Sequence, residues 1–236
     1  MLAYPTSIVI LQGWDRVYVG ADSRRVYRIG NKSYAGSVCK ISRAGKWYFV
    51  ASGLTYANDQ QVSEIGIASG QKARSTSQAA ETFRKRMRDF LPGALTAERD
   101  IDRSEDTAAK TETVLEAAFI GVESDGAKVS VEWYRRDTRS RTDKIVSDRR
   151  TYSLPAPGST FDVITLGRAH AIDERLASRS VQVKSDADAI ATLNKLIGFE
   201  ITDSPKTTAG PVDVLKIDGS GSSWLRSKPA CSAPSY

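Results

Sequence analysis

The chain has 236 residues, of which 40% are hydrophobic and 26% are charged, a balance that is typical of soluble globular proteins and excludes an intrinsically disordered chain. No apolar run approaches the roughly 20 residues that span a bilayer, so we expect no membrane partner. The formal net charge of +6 would suit an acidic partner but does not by itself select one.

Hydrophobic patterning predicts groups of strands that alternate with pairs of helices along the chain, and the chain begins and ends with strands. The predicted strands are short apolar or alternating runs bounded by turn residues, at 6–11, 16–21, 38–42, 47–52, 114–122, 128–134, 161–166 and 212–217. Strands at both ends of the chain, grouped around pairs of helices, predict two sheets between helical layers. The expected fold class is α+β, a four-layer αββα sandwich of two mainly antiparallel sheets.

The predicted helices have an apolar period of about 3.6 residues. The first is capped by Asn58, and the second begins at Ser77 and ends at Pro92, which is followed by glycine. A short helix carries Ile172, and the last begins with a capping box at Ser185 and Asp188.

The segment 96–111 is polar and predicts a surface connection, with a partly helical segment as the alternative. From Gly219 the run Gly-Ser-Gly-Ser-Ser predicts a flexible tail over 219–236. No linker precedes this tail, so we expect a single domain over 6–218, preceded by a leader at 1–5.

The two cysteines, Cys39 and Cys231, lie far apart and are interpreted as two unrelated thiols, with one bridge in an exported protein as the alternative. His170 is the single histidine, which argues against a histidine-rich metal centre. A Ser-His-Asp triad would have to use it, and no Gly-x-Ser-x-Gly turn supplies the serine. We therefore expect neither a metal nor a cofactor.

Basic residues concentrate between Arg135 and Arg150, where they are interrupted by Asp137, Asp143 and Asp148. Such a hairpin could contact phosphates. Because the acids dilute its field, we interpret it as a solvated surface and expect no nucleic-acid partner.

The most informative residue is Thr6, which begins the first predicted strand. Removal of the leader, Met1–Pro5, would give Thr6 a free α-amino group beside its own hydroxyl. A terminal threonine supplies a nucleophile and its base within one residue.

Four motifs then follow in order: Thr6-Ser-Ile-Val-Ile, Val-Gly-Ala-Asp22-Ser-Arg, Cys-Lys40-Ile and Ala-Ser-Gly53. In sequence and spacing they resemble the proteasome β-subunits, which with their bacterial heat-shock relatives belong to the N-terminal nucleophile (Ntn) hydrolases. Asp22 stands sixteen positions after Thr6, as in that family, and the loop before Lys40 is about two residues longer. Near the end, Thr208-Ala-Gly-Pro-Val-Asp-Val-Leu resembles the family's Ser-Gly-Gly and final strand.

The resemblance implies a role for each of these residues. Thr6 would attack an amide carbonyl, with its own α-amine, of pKa about 7.7–8.0, as base. A charged Lys40 would lower that pKa further, and Asp22 would hold Lys40 charged and oriented. The N–H of Gly53 would stabilise the oxyanion, an interaction typically worth about 3 kcal/mol.

Several positions depart from the family's pattern. Pro5 stands where self-processing relatives carry glycine, and proline restricts the backbone around the bond to be cleaved. Arg168 falls on the position of a supporting serine. The supporting aspartate would fall on Pro205, with Asp203 only nearby, and Thr208 replaces the second serine.

These motifs predict a threonine peptidase or amidohydrolase that acts on a peptide or small amide and is activated by removal of Met1–Pro5. The alternative is a catalytically inactive, proteasome-like binding or scaffold protein that retains its leader. Family members often form rings, so a homo-oligomer is an open alternative. The chain as written lacks a secretory signal, which predicts a cytoplasmic protein, with export as the alternative if an upstream signal has been removed.

Overall fold

The computed structural model describes residues 2–4, 6–29, 32–57, 60–102, 113–136 and 145–232. They form a mixed α+β fold with mostly antiparallel sheets, which is compatible with a sandwich. Pro5, Asn58 and the basic segment 137–144, on which sequence predictions fall, lie outside the described residues. No helix in the described part of the chain is both long enough and apolar enough to span a bilayer.

The strands, in chain order, are β1 (Leu2–Tyr4), β2 (Ser7–Gln12), β3 (Arg16–Ala21), β4 (Arg24–Ile29), β5 (Lys32–Ser37), β6 (Ile41–Ala44), β7 (Trp47–Gly53), β8 (Tyr56–Ala57), β9 (Gln60–Gln61), β10 (Thr113–Glu123), β11 (Gly126–Arg136), β12 (Ile145–Thr151), β13 (Thr160–Gly167), β14 (Ser180–Gln182), β15 (Asp213–Asp218) and β16 (Gly221–Arg226). The helices are α1 (Val62–Gly70), α2 (Thr76–Asp102), α3 (His170–Arg175), α4 (Asp186–Asp203) and α5 (Pro229–Ser232).

The strands form two large sheets and two small ones. The six-stranded sheet has the order β14-β13-β2-β3-β15-β16, and the five-stranded sheet has the order β12-β11-β10-β7-β6. A three-stranded sheet of order β1-β4-β5 and the pair β8-β9 complete the topology. The start of β2 meets the ends of β3 and β13, because Ile8 pairs with Ala21 and Ser7 pairs with Gly167. Thr6 directly precedes this meeting point.

The apolar run of β2 is continuous because both faces of the strand are buried. Val9 and Leu11 belong to a core cluster that includes Leu193 of α4. Ile8 and Ile10 face the other way, in a cluster shared with the five-stranded sheet. A third cluster packs that sheet's opposite face against α1 and α2 through residues such as Phe49, Phe83 and Phe119.

The prediction that the second helix ends at Pro92 is wrong. The structure continues α2 through Pro92 to Asp102, and the buried residues Phe90, Leu91, Ala94 and Leu95 pack in one core cluster on both sides of the proline. Proline removes one backbone donor, a cost of about 3 kcal/mol, which the continuous apolar stripe offsets. The polar segment predicted as a connection is therefore helical as far as Asp102, and residues 103–112 lie outside the described part.

The predicted cap of the last helix is confirmed: the N–H of Asp188 donates to Ser185 Oγ at 3.1 Å. The first helix begins at Val62, and Gln61, not the predicted Asn58, occupies its N-cap position.

The prediction of a flexible tail after Gly219 is wrong over most of its length. Residues 221–226 form β16, which pairs with β15, and α5 follows. The glycine-serine composition that suggested a tail belongs to a hairpin turn and an exposed edge strand. The hairpin of β4 and β5, together with β12 and β14, has no counterpart among the predicted elements.

Candidate active site

Thr6 is buried, and its backbone is held by contacts to both large sheets. Its carbonyl oxygen accepts the N–H of Arg168 at 2.9 Å and the hydroxyl of Ser52 at 3.2 Å. The approach is so close that Gly167, at φ +79°, cannot be replaced without a shift, since a Cβ there would lie 2.0 Å from the Thr6 carbonyl oxygen.

Asp22 follows the end of β3, and its side chain is completely buried. One carboxylate oxygen, Oδ1, accepts the N–H of Ser7 at 2.9 Å and Lys40 Nζ at 2.6 Å. The other, Oδ2, accepts the N–H of Arg24 at 3.0 Å and of Ala209 at 3.3 Å. The carboxylate therefore joins four separate stretches of chain around the residue that follows Thr6.

Lys40 lies just before β6, and only 2% of its side chain is exposed. Burial lowers the pKa of its ammonium group from 10.5 to about 8, against the opposing effect of Asp22. The like charges of Arg25 and Lys228 lower it further. Lys40 is thus a buried cation that is still mostly protonated at pH 7 and loses its proton at lower pH than an ordinary lysine.

Gly53 ends β7 with φ +99°, a conformation that favours glycine. A Cβ at this position would lie 2.4 Å from the carbonyl oxygen of Val114. The N–H of Leu54 donates to that same oxygen at 2.9 Å. Because donors alternate sides along an antiparallel strand, the N–H of Gly53 points away from β10, toward the side on which β6 lies. Gly53 also directly follows Ser52, which contacts Thr6.

The three predicted supporting residues differ in their exposure to solvent and in their hydrogen-bond partners. Arg168 is exposed and reaches Thr6 through its backbone, while its guanidinium donates to Ser204 Oγ at 3.1 Å. Asp203 is exposed at the end of α4, where it accepts the hydroxyl of Ser204. Thr208 is fully buried next to Ala209, and in the described part of the chain its Oγ1 has no hydrogen-bond partner.

Sequence reasoning missed Glu116, which contacts Gly167, the residue packed against the Thr6 carbonyl. Its Oε2 accepts the N–H of Gly167, and burial raises the pKa of its carboxyl group. In the register of β7 and β10 it is opposite Ser52. The available signal was a charged residue inside the apolar run of β10.

The interpretation of Cys39 and Cys231 as unrelated thiols is wrong: the structure joins them in a disulfide across 192 positions of sequence. The pairing depends on α5, whose position follows from the β15–β16 hairpin. No local pattern in the sequence could predict that approach.

Two cavities bear on the placement of the site. One of about 200 Å³ adjoins Asp22 and is lined by Ser23, Arg24, Ala35, Gly36, Ser37, Ala209 and Gly210. A larger cleft of about 580 Å³ lies at the other end of β2, among hairpin turns. Acids that line the larger cleft already have partners: Asp15 pairs with Arg16 and Asp125 with Lys128. Within the described residues no cluster of three or more His, Cys, Asp or Glu is arranged to hold a metal ion.

Comparison with known proteins does not assign the chain to a family, so the candidate site is defined by its geometry. No family model matches the chain, and no curated protein shows significant similarity to it.

Proposed function

We propose that the chain is a proteasome-like threonine amidohydrolase, active once Thr6 is its first residue. The observation that carries the proposal is the buried Asp22–Lys40 pair, which is bonded to the backbone of Ser7, next to Thr6. An N-terminal nucleophile needs a cation of this kind close to it, since positive charge keeps the α-amine neutral and able to act as a base.

We infer a four-layer αββα arrangement for the fold. The three core clusters support it: one lies between the two large sheets, one between the five-stranded sheet and α1 with α2, and one between the six-stranded sheet and α4. In this arrangement Thr6 lies at one end of the interface between the sheets.

Acylation begins when Thr6 Oγ attacks the carbonyl carbon of an amide and the Thr6 α-amine takes the hydroxyl proton. The oxyanion that forms accepts the N–H of Gly53. The amine then passes its proton to the departing nitrogen as the C–N bond breaks, which leaves an ester on Thr6. Lys40 stays protonated throughout, and Asp22 keeps it in place.

Deacylation repeats these steps with water as the nucleophile. The α-amine of Thr6 removes a proton from the water, which attacks the ester carbonyl. Collapse of the second oxyanion releases the acid and returns the proton to Thr6 Oγ.

The segment before Thr6 supports a peptide as substrate. β1 pairs with β4 in antiparallel register, with Leu2 opposite Arg28 and Tyr4 opposite Val26. An extended chain that leads to Thr6 thus adds to the edge of β4 by backbone hydrogen bonds, a common mode of peptide recognition. Once the residues before Thr6 are removed, the same edge is open to the acyl side of a substrate.

The proposal is tested with protein that begins at Thr6, treated with a peptide epoxyketone and weighed by intact-mass spectrometry. We expect one covalent adduct, retained in Thr6→Ser and absent in Thr6→Ala. The chain that still carries Met1–Pro5 is the matched control and should not react, since its Thr6 nitrogen is an amide. Absence of an adduct on the Thr6-initiated protein would overturn the proposal.

The second candidate is a binding or scaffold protein that keeps its leader. It is favoured by the pairing of β1 with β4, which fills the edge that a substrate needs. Intact mass of the expressed protein separates the two. Loss of Met1–Pro5 that is abolished by Thr6→Ala supports the hydrolase, and a full-length chain with Thr6 unaltered supports the scaffold.

The Cys39–Cys231 disulfide also bears on location. Disulfides persist in oxidising compartments and are rare in the cytosol. We therefore propose export rather than the cytoplasm as the location.

A further inference from the structure

The last described segment of the chain, residues 227–232, contacts both sides of the candidate site. We call it the carboxy-terminal arm. Its Cys231 is bonded to Cys39, the residue directly before Lys40. The arm is thereby fixed covalently to the backbone that carries the buried cation.

A second contact of the arm reaches the residue after Asp22. Lys228 Nζ donates to Ser23 Oγ at 2.5 Å and to the carboxylate of Asp213. The N–H of Lys228 donates to the same carboxylate at 3.0 Å, and Ser23 in turn donates to the carbonyl of Pro211. Asp213 is buried and 16% of the Lys228 side chain is exposed, so that this network is largely shielded from water.

The charge of the arm acts on Lys40 as well. Asp22 raises the pKa of the Lys40 ammonium group, and the charges of Arg25 and Lys228 lower it. The arm therefore bears on both the position of Lys40 and the pH at which Lys40 loses its proton.

We propose that the carboxy-terminal arm is a positioning element of the candidate site, which keeps Asp22 and Lys40 in contact only while the Cys39–Cys231 disulfide is intact. The inference rests on the proposed function of that pair, and it makes the activity dependent on oxidation state. Besides the bridge, Lys228 holds the arm against the loop of Asp22 through its bond to Ser23.

The opening step is thiol–disulfide exchange with a dithiol reductant. A thiolate of the reductant attacks one sulfur, a mixed disulfide forms, and the second thiol of the reductant displaces the protein. Two electrons and two protons pass to the protein, which leaves thiols at Cys39 and Cys231. The reductant departs as a cyclic disulfide.

The first test needs no activity and uses the full chain. Amide hydrogen exchange is followed at Ser7, Arg24 and Ala209, whose N–H groups all bind Asp22, before and after reduction with dithiothreitol. We expect exchange at these amides to become about tenfold faster on reduction, and likewise in Cys39→Ser/Cys231→Ser. The amide of Ala127, bonded to Trp14 at the opposite end of β2, is the internal control and should not change. Equal acceleration at Ala127, or no acceleration at the three amides, would overturn the proposal.

The second test measures epoxyketone adduct formation by the Thr6-initiated protein across pH. Reduction should slow the reaction about tenfold. Lys228→Met should move the alkaline fall in rate to higher pH, because Lys40 loses a neighbouring positive charge. Lys228→Arg should restore the original profile, and Lys195→Met, which alters an exposed lysine of α4, should not change it.

The two tests separate the inference from the function on which it rests. If the Thr6-initiated protein forms no adduct at all, the proposed function fails, while hydrogen exchange still decides whether the arm holds Asp22. If Lys228→Met does not fold, Lys228→Arg and reduction carry the test. If neither reduction nor Lys228→Met changes the dependence of the rate on pH, the arm has a purely structural role and the proposal is overturned.

Discussion

Two buried carboxylates in this protein are each paired with cations, yet the two pairs differ in the cation. Asp22 is bonded to Lys40, whereas Glu132 on β11 is bonded to Arg84 of α2 and Arg149 of β12. Both carboxylates are completely shielded from solvent. Burial alone therefore does not distinguish a candidate catalytic pair from a structural one.

The distinction lies in titration and in what surrounds each pair. An arginine does not release its proton in proteins, so the Glu132 network is a permanent link between a sheet and a helix. Lys40 has a pKa of about 8, and its partner Asp22 also binds the N–H of Ser7, the residue after Thr6. The same contrast bears on nucleic-acid binding: Arg149 of the basic hairpin is already bound by Glu132 and by Glu81 at 2.7 Å.

The largest expected effect comes from removal of the first pair as a unit. Asp22→Asn with Lys40→Met should lower the rate of adduct formation by the Thr6-initiated protein about 10²–10⁴-fold, because the amine loses the cation that keeps it neutral. The double change avoids a lone buried charge, so that the protein still folds. Adduct formation is followed by intact mass, and folding by circular dichroism. A rate within about threefold of the parent would show that the Asp22–Lys40 pair is structural, like the Glu132 network.

The second pair should show the opposite behaviour. Glu132→Gln removes a buried counter-ion from Arg84 and leaves Arg149 with the more exposed Glu81, and it should lower the free energy of unfolding by about 2–3 kcal/mol in urea titrations. The folded variant should react with the epoxyketone at the parental rate. Glu174→Gln, at a surface carboxylate beside His170, is the matched control and should cost less than about 1 kcal/mol. Loss of reactivity in folded Glu132→Gln would contradict the structural assignment.

The pH dependence of stability should also distinguish the Asp22–Lys40 pair from the Glu132 network. Between pH 8 and 10.5 the unfolded chain keeps the Lys40 proton and the folded protein does not, so unfolding becomes less favourable as pH rises. We expect the contribution of the pair, taken as the difference from Asp22→Asn/Lys40→Met, to grow by about 1–3 kcal/mol across this range. The arginine pair adds no such slope. A flat or falling difference in urea titrations would show that the pKa of Lys40 is not depressed.

The smallest effect comes from giving the first pair the cation of the second. The parent should show a bell-shaped rate of adduct formation that falls above pH 8, where Lys40 loses its proton. In Lys40→Arg this alkaline fall should disappear, with a rate at pH 7 only about threefold lower. Persistence of the fall in Lys40→Arg would assign it to another group.

Local pattern predicted much of the secondary structure. Apolar runs located β2 and β3 to within one residue, and Ser185 caps α4 as expected. The β4–β5 hairpin escaped prediction, since the described side chains of β5 are exposed or half-buried and carry no apolar alternation. Pro92 was wrongly predicted to end the second helix, because tertiary packing on both sides of the proline outweighs its local tendency to break a helix.

The candidate site divides in the same way. Thr6, Asp22, Lys40 and Gly53 could be singled out because their motifs resemble those of the proteasome β-subunits in sequence and spacing. Glu116 and Lys228 could not be linked to them, since nothing local indicates which distant residues a buried carboxyl or ammonium group will meet.

Local periodicity and turn chemistry were enough to locate eight of the strands and the residues at their ends. Tertiary packing was needed to bring Asp22 to Lys40 and to the backbone of the distant residues Ser7 and Ala209, and to return Cys231 to Cys39. These contacts depend on how β2, β3 and β15 align in one sheet, and that register follows from packing on both faces of the sheet rather than from neighbouring residues.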